Sequence, residues 1–191
     1  RVVLSGLSFP EAKTLIEKRV NQQLIGSEAI LSMGSLRSIN VFMAGEVKAP
    51  GNYSMSALST LSQSIFIAGG IAETGSYRAV QLKRQGKTVQ SFDLYDLLLF
   101  GDNSGDARLQ SGDVVFVPVA GPQASIAGEV VRPAIYEIED GDTIDRLVNM
   151  AGGVLATGNP QQALLRRYRS GASLPSIDNL NLLQAKTLKM Q

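Results

Sequence analysis

Val41-Phe42-Met43-Ala44-Gly45-Glu46-Val47, continuing through Pro50 and Tyr53 to Ala68-Gly69-Gly70, is a stretch that the chain states twice. The same grammar returns as Ala127-Gly128-Glu129-Val130, Pro133, Tyr136, Ala151-Gly152-Gly153 and Thr157-Gly158. From residues 41–84 to residues 124–167 no gap is needed, and 14 of the 44 aligned positions are identical, ending on the paired Arg84 and Arg167. Self-similarity at a fixed spacing marks a repeated structural unit. The chain therefore reads as two copies of one small domain behind a short lead-in.

Composition agrees with that reading and removes several alternatives. A chain of 191 residues with 44% hydrophobic and 18% charged content is ordinary globular material, sufficient for modest cores. A net charge of +1 argues against bulk attraction to nucleic acid or to an acidic membrane surface. With no cysteine and no histidine, there are no disulfides, no thiolate or imidazole metal sites and no Cys/His or Ser/His catalytic arrangement. No apolar run is long enough to span a bilayer. Arg1-Val2-Val3-Leu4 reads as the middle of a strand, so the sequence is expected to be a piece of a longer protein.

Outward from the repeats, Ser8-Phe9-Pro10-Glu11 has the form of a helix capping box, with Ala12, Leu15, Ile16, Val20 and Leu24 following at helical spacing and Gly26 as terminator. Residues 28–36 are expected to form a strand. The first repeat is expected to open with a strand over 39–47, turn at Lys48-Ala49-Pro50-Gly51-Asn52 and return from Tyr53. A helix follows over 57–68 with Leu58, Leu61, Ile65 and Ala68 on one face, ended by Gly69-Gly70. Short strands over 78–84 and 87–92 come next, joined at Gln85-Gly86, then a helical turn over 93–100. Leu109-Gln110-Ser111-Gly112-Asp113 leads into Val114-Val115-Phe116-Val117-Pro118, apolar enough to lie inside a sheet.

A hairpin, one helix across a small mixed sheet and further strands is the β-grasp order, an α+β fold. The second copy runs in the same order but lacks any counterpart of Gly112-Asp113 and its strand, which would leave an open edge. Either the boundary of the chain removes that strand or another segment fills its place.

The pattern Gly-Glu-Val-x-x-Pro-Gly-x-Tyr, then Ala-Gly-Gly, then Leu-x-x-Gly-Asp-x-Val-x-Val-Pro resembles the SLBB (soluble-ligand-binding β-grasp) domain. Its signature positions here are Gly45, Glu46, Pro50, Gly51, Tyr53, Gly69, Gly70, Gly112 and Asp113, then Gly128, Glu129, Pro133, Tyr136, Gly152 and Gly153, with Ala134 replacing the second turn glycine. The lead-in is similar to the end of the polysaccharide-export domain that precedes such repeats in Wza-type outer-membrane exporters. The resemblance implies three parts: residues 1–38 as the tail of an export domain, 39–120 as a first SLBB domain and 121–191 as a second, truncated one. It implies a non-catalytic role in capsule or exopolysaccharide export, in the periplasm against the outer membrane of a Gram-negative bacterium. It further implies a bacterial polysaccharide, other copies of the chain and inner-membrane export components as partners, with no cofactor. The alternative from another class is a soluble glycan- or cofactor-binding module that forms no conduit.

Several features invite sharper functional readings. Glu46 and Glu129 recur at matched positions, but an acid–base pair must flank one site, so a structural role is expected. The glycine pairs follow a helix, whereas a phosphate loop needs them before one. Residues 51–72 carry no charged side chain, which makes Leu58, Ser62, Gln63 and Phe66 candidates for an interface with a neighbouring domain or subunit. Arg166, Arg167, Tyr168 and Arg169 form the densest basic cluster. Guanidinium groups and a stacking ring there could meet an acidic polysaccharide, although a charge-protected edge strand is the preferred reading. Packing beside the proline is the expected reason for Tyr53 and Tyr136.

Overall fold

The computed structural model describes residues 2–4, 6–24, 29–32, 34, 37–168 and 174–190. They fall into two compact units, Arg1–Arg37 and Ser38–Gln191. In the first unit, helix α1 (Phe9–Gln23) starts where the capping box places it. The Glu11 carboxylate accepts the Ser8 N–H at 2.8 Å and its hydroxyl at 2.6 Å. Pro10 occupies the first turn, where no intrahelical N–H is required. The expected terminator Gly26 lies outside the described residues. So do residues 28, 33, 35 and 36 of the expected 28–36 strand, and residues 29–32 and 34 belong to no strand.

The second unit begins with β1 (Ser38–Gly45), whose alternation puts Ile39, Val41 and Met43 inside. It turns at Pro50 into the antiparallel β2 (Gly51–Ser56). Helix α2 runs Leu61–Ile67, not from residue 57. Thr60 is its N-cap, with Gln63 accepting the Thr60 N–H at 3.2 Å. Ala57 and Leu58 instead lie in a tight turn closed by a 2.9 Å bond from Ser59 N–H to the Ser56 carbonyl. Leu58 is therefore exposed, and Leu61, Ile65 and Ala68 form the buried face.

Strands β3 (Val80–Arg84) and β4 (Lys87–Phe92) follow, then α3 (Leu94–Phe100), capped by Asp93, and β5 (Val114–Val117). The sheet order is β2-β1-β5-β3-β4, with β5 parallel to β1 and antiparallel to β3. The apolar Val114-Val115-Phe116-Val117 run is thus the central strand, and Val115 and Val117 are fully buried. α2 packs against it.

The second copy supplies β6 (Gln123–Ile126), β7 (Ala134–Glu137), α4 (Ile144–Met150), β8 (Ala163–Arg167) and β9 (Ser176–Leu180). Its β6-β7 hairpin closes on Ile126↔Ala134 as the first closes on Met43↔Gly51, so alanine is accepted at the turn. Among the described residues no strand joins β6 to β8, and this half forms two separate two-stranded ladders. The counterpart of α3 is a turn at 181–185.

Candidate functional site

The repeated residues build turns. Gly45 and Gly128 both take positive φ, which a glycine adopts without steric cost. The glutamate that follows each one braces the loop after the helix: Thr74 donates to Glu46, and Thr157 donates to Glu129 at 2.6 Å. The main chain repeats the brace, from Ala72 N–H to the Glu46 carbonyl and from Leu155 N–H to the Glu129 carbonyl, both 2.9 Å. Gly75 and Gly158 sit against these braces, and a Cβ at Gly75 would lie 2.6 Å from the Glu46 carbonyl oxygen.

Both glycine pairs close Schellman motifs. Gly69 and Gly70 donate to the Phe66 and Ile65 carbonyls, and Gly152 and Gly153 to those of Asn149 and Val148, at 2.9–3.0 Å. Tyr53 and Tyr136 do more than pack. Each hydroxyl donates to the carbonyl just before the turn proline, that of Ala49 at 2.7 Å and that of Arg132 at 2.8 Å. Arg84 clamps the Gly112-Asp113 turn by a bidentate pair at 2.7 and 2.8 Å, and the buried Asp113 also accepts the Gln110 N–H at 2.7 Å.

The uncharged 51–72 stretch is explained in part from within. Ser59, Ser62 and Ser64 are buried in their own domain. Ser62 bonds to Asp106 through its N–H at 2.9 Å and its hydroxyl at 2.6 Å, and the Ser64 hydroxyl donates to the Leu61 carbonyl at 2.6 Å. Ser62 therefore faces inward, contrary to its expected place on an outer face. Gln63 is exposed, and Leu58, Phe66 and Ile67 leave 50%, 53% and 55% of their surfaces in water. On β8, Arg166 lies over the Tyr168 ring at 5.2 Å and both are exposed, while Arg167 is half-buried and donates to the Lys189 carbonyl at 3.0 Å. Arg169 lies outside the described residues.

The densest chemistry lies where the two repeats meet. Arg78, with a side chain 5% exposed, holds Asp93 at 3.0 Å and, across the junction, Glu139 at 3.2 Å and Asp142. Burial opposes the guanidinium charge, but hydrogen bonds to Asp142 and Asp93 outweigh it and raise the Arg78 pKa. Burial likewise pushes the Asp93 carboxyl up, and bonds from Arg78 and the Tyr95 N–H only partly offset this. Tyr77 stacks on Tyr95 at 5.8 Å, and Tyr95 meets Tyr136 edge-on at 6.1 Å. Arg146 of α4 reaches Asp96 of α3 at 3.2 Å and covers the Phe100 ring at 4.6 Å. A polar cleft of about 420 Å³ opens there between Arg78, Asp93, Asp96, Asp102, Glu139 and Arg146. Three of the junction carboxylates converge on Arg78, and among the described residues no set of three or more is placed to hold a metal ion.

Sequence reasoning missed this junction. Its signal lay in positions where the repeats disagree in charge: Arg78 stands opposite Gln161, and Glu137 opposite Ser54.

Such an arrangement defines a class, tandem β-grasp domains joined by a buried polar seam. The SLBB domain family matches residues 40–117 and again residues 123–175, and the chain belongs to that family. It is similar to the EPS I polysaccharide export outer membrane protein EpsA of Ralstonia solanacearum, 25% identical over 184 residues, covering 94% of this chain and 48% of that protein. It is also similar to the polysialic acid transport protein KpsD of Escherichia coli, 26% identical over 141 residues, 73% of this chain and 25% of that protein. The chain thus spans about half the length of the first relative and a quarter of the second. Among the described residues no helix is long and apolar enough to cross a membrane.

Proposed function

We propose that this chain is a non-catalytic part of a bacterial polysaccharide export machine, working in the periplasm against the outer membrane. In this reading residues 1–38 close an export domain, and residues 39–120 and 121–191 are SLBB domains that build or line the polymer route. The observation that carries it is co-linearity: likeness to a named export protein runs through 94% of the chain, lead-in and both repeats included. Mechanistically, the buried seam makes the repeats a stiff scaffold. The exposed apolar Leu58, Phe66 and Ile67, on a stretch without charge, provide a face for self-association. Inner-membrane export components are further partners under this reading.

The test is genetic and physical. Deleting the gene in its host should abolish surface polysaccharide, and a gene carrying Phe66→Glu and Ile67→Glu should restore it only weakly. Sedimentation velocity should show a discrete oligomer that these substitutions dissolve. Normal surface polymer in the deletion strain would overturn the export reading.

A second reading, a glycan-binding module without a conduit, is favoured by the exposed Arg166–Tyr168 pair, which offers a charge and a ring to an acidic sugar. Saturable binding of an oligogalacturonate by a monomeric chain, lost in Arg166→Ala, would support it.

A further inference from the structure

Glu137, at the end of β7, is 6% exposed and belongs to the second repeat, yet the first repeat and the connecting segment satisfy it. One carboxylate oxygen, Oε1, accepts the Ser76 hydroxyl at 2.7 Å and the Gly121 N–H at 2.8 Å. The other, Oε2, accepts the Tyr77 N–H at 2.9 Å and the Arg78 N–H at 3.3 Å. The Glu137 N–H in turn donates to the Tyr95 hydroxyl at 3.2 Å. Both oxygens thus face donors only. A carboxylate buried without such partners is strongly disfavoured, whereas one met by oriented donors is held in place by them.

The repeat relation shows that this fitting is made once. Ser54, exposed on β2, occupies the position in the first repeat that Glu137 occupies in the second. The loop Ser76-Tyr77-Arg78 corresponds to Asn159-Pro160-Gln161, where proline has no N–H to offer a carboxylate. The α3 helix that carries Tyr95 corresponds to a mere turn at 181–185. Plug and socket therefore lie on different copies and face one way.

We infer that Glu137 is a carboxylate latch that fixes the second repeat on the first, so that the tandem moves as one body and not as two domains on a linker. The latch is used up within the chain, so further copies have to join through other surfaces. This inference stands independently of the export reading.

The discriminating variant is Glu137→Gln in the 191-residue chain. Glutamine keeps the size and the apolar contacts but turns an NH2 group toward at least one pair of donors. Amide hydrogen exchange followed by NMR should show more than about tenfold faster exchange at Tyr77, Arg78 and Gly121, with Leu82 and Val115 unchanged. Residual dipolar couplings should require one alignment tensor for both repeats in the parent and two in the variant. Exchange within about twofold of the parent, with a single tensor, would overturn the latch and leave Glu137 as packing. Should the variant unfold, seen as lost protection at Leu82 and Val115, Tyr95→Phe removes only the acceptor for the Glu137 N–H. Faster exchange at Tyr77, Arg78 and Gly121 in that protein supports the latch, and unchanged exchange at those three amides overturns it.

Discussion

The first repeat is a closed β-grasp domain, and the second, built from the same turns, is not. In the first, β5 fills the centre of the sheet, and Val41, Met43, Val80, Val115 and Val117 are fully buried around it. In the second, β6-β7 and β8-β9 stand apart, and the buried cluster is Val130, Tyr136, Leu147, Met150 and Ala151. That smaller cluster is completed by Tyr95 and Leu99, which belong to α3 of the first repeat. Among the described residues no apolar side chain of the second repeat packs into the core of the first.

Position by position, the contrast follows from what covers each residue. Ile67 is 55% exposed on α2, whereas its counterpart Met150 on α4 is fully buried. Ser64 corresponds to Leu147, an apolar side chain where the second repeat leans on other elements. The positions the copies share are mostly glycines, Glu, Pro, Tyr and Thr of the turns and caps. What is repeated is the hardware that bends the chain, and each core is particular to its surroundings.

Breaking the comparison at its sharpest point means giving each copy a side chain at its first turn glycine. A Cβ at Gly45 would overlap the carbonyl oxygen of Val117 and lie 3.0 Å from the Phe116 ring, on top of a φ of 80°. At Gly128 the φ is 93° but nothing lies within 4 Å. Gly45→Ala should therefore cost about 3–5 kcal/mol, combining overpacking with left-handed strain. Gly128→Ala should cost only the strain, about 1–2 kcal/mol. Urea titration of both proteins measures the gap, and equal losses would mean that β5 does not press on Gly45.

A milder contrast tests the turn hydroxyls. Tyr136 is 6% exposed and its hydrogen bond to Arg132 is shielded, whereas Tyr53 is only half-buried over Ala49. Tyr136→Phe removes the hydrogen bond of the more deeply buried hydroxyl-bearing ring and should cost about 1–1.5 kcal/mol, against about 0.5 kcal/mol for Tyr53→Phe. The same denaturation experiment ranks them, and a reversed order would show that water reaches the second turn more easily than the first.

The turns were legible because their causes are local. Pro50, Gly69-Gly70, Gln85-Gly86 and the Ser8–Glu11 box act within a few residues, and each appears where sequence places it. The central position of β5 was legible too, since a strand buried on both faces must be apolar throughout. The start of α2 was misplaced because Leu58 shares the helical period with Leu61 and Ile65 by coincidence, while the cap at Thr60 decides the boundary. Ser62 read as an outer polar residue because its partner, Asp106, is 44 residues away. The junction was illegible for the same reason. Glu137 and its donors at 76–78 are about 60 residues apart, and nothing in either segment alone announces the other.

The smallest effect concerns charge at the same N-cap in the two copies. Asp93 caps α3 by accepting the Tyr95 N–H at 2.8 Å, and the uncharged Asn181 makes the matching bond to the Leu183 N–H at 3.0 Å. Asp93→Asn therefore converts the first cap into the second while keeping its acceptor. The pKa of Asp93 is raised by burial, and the group also faces Arg78 and Asp96. With the folded pKa above the unfolded one, the native state binds the proton more tightly. The contribution of Asp93 to stability is then fully present below the ordinary aspartate pKa, about 3.9, and is lost as pH rises through the higher folded value. Relative to Asp93→Asn, the parent should be favoured most at the acid end of that window, with the difference shrinking as pH rises through the folded value and constant from above it to neutrality. Thermal unfolding of both proteins from about pH 3.5 to pH 7 reads this directly. A difference that instead grows in favour of the parent as pH rises would mean that the pairing with Arg78 outweighs burial, and that the charge on this cap, absent from the second copy, is a net asset to the first.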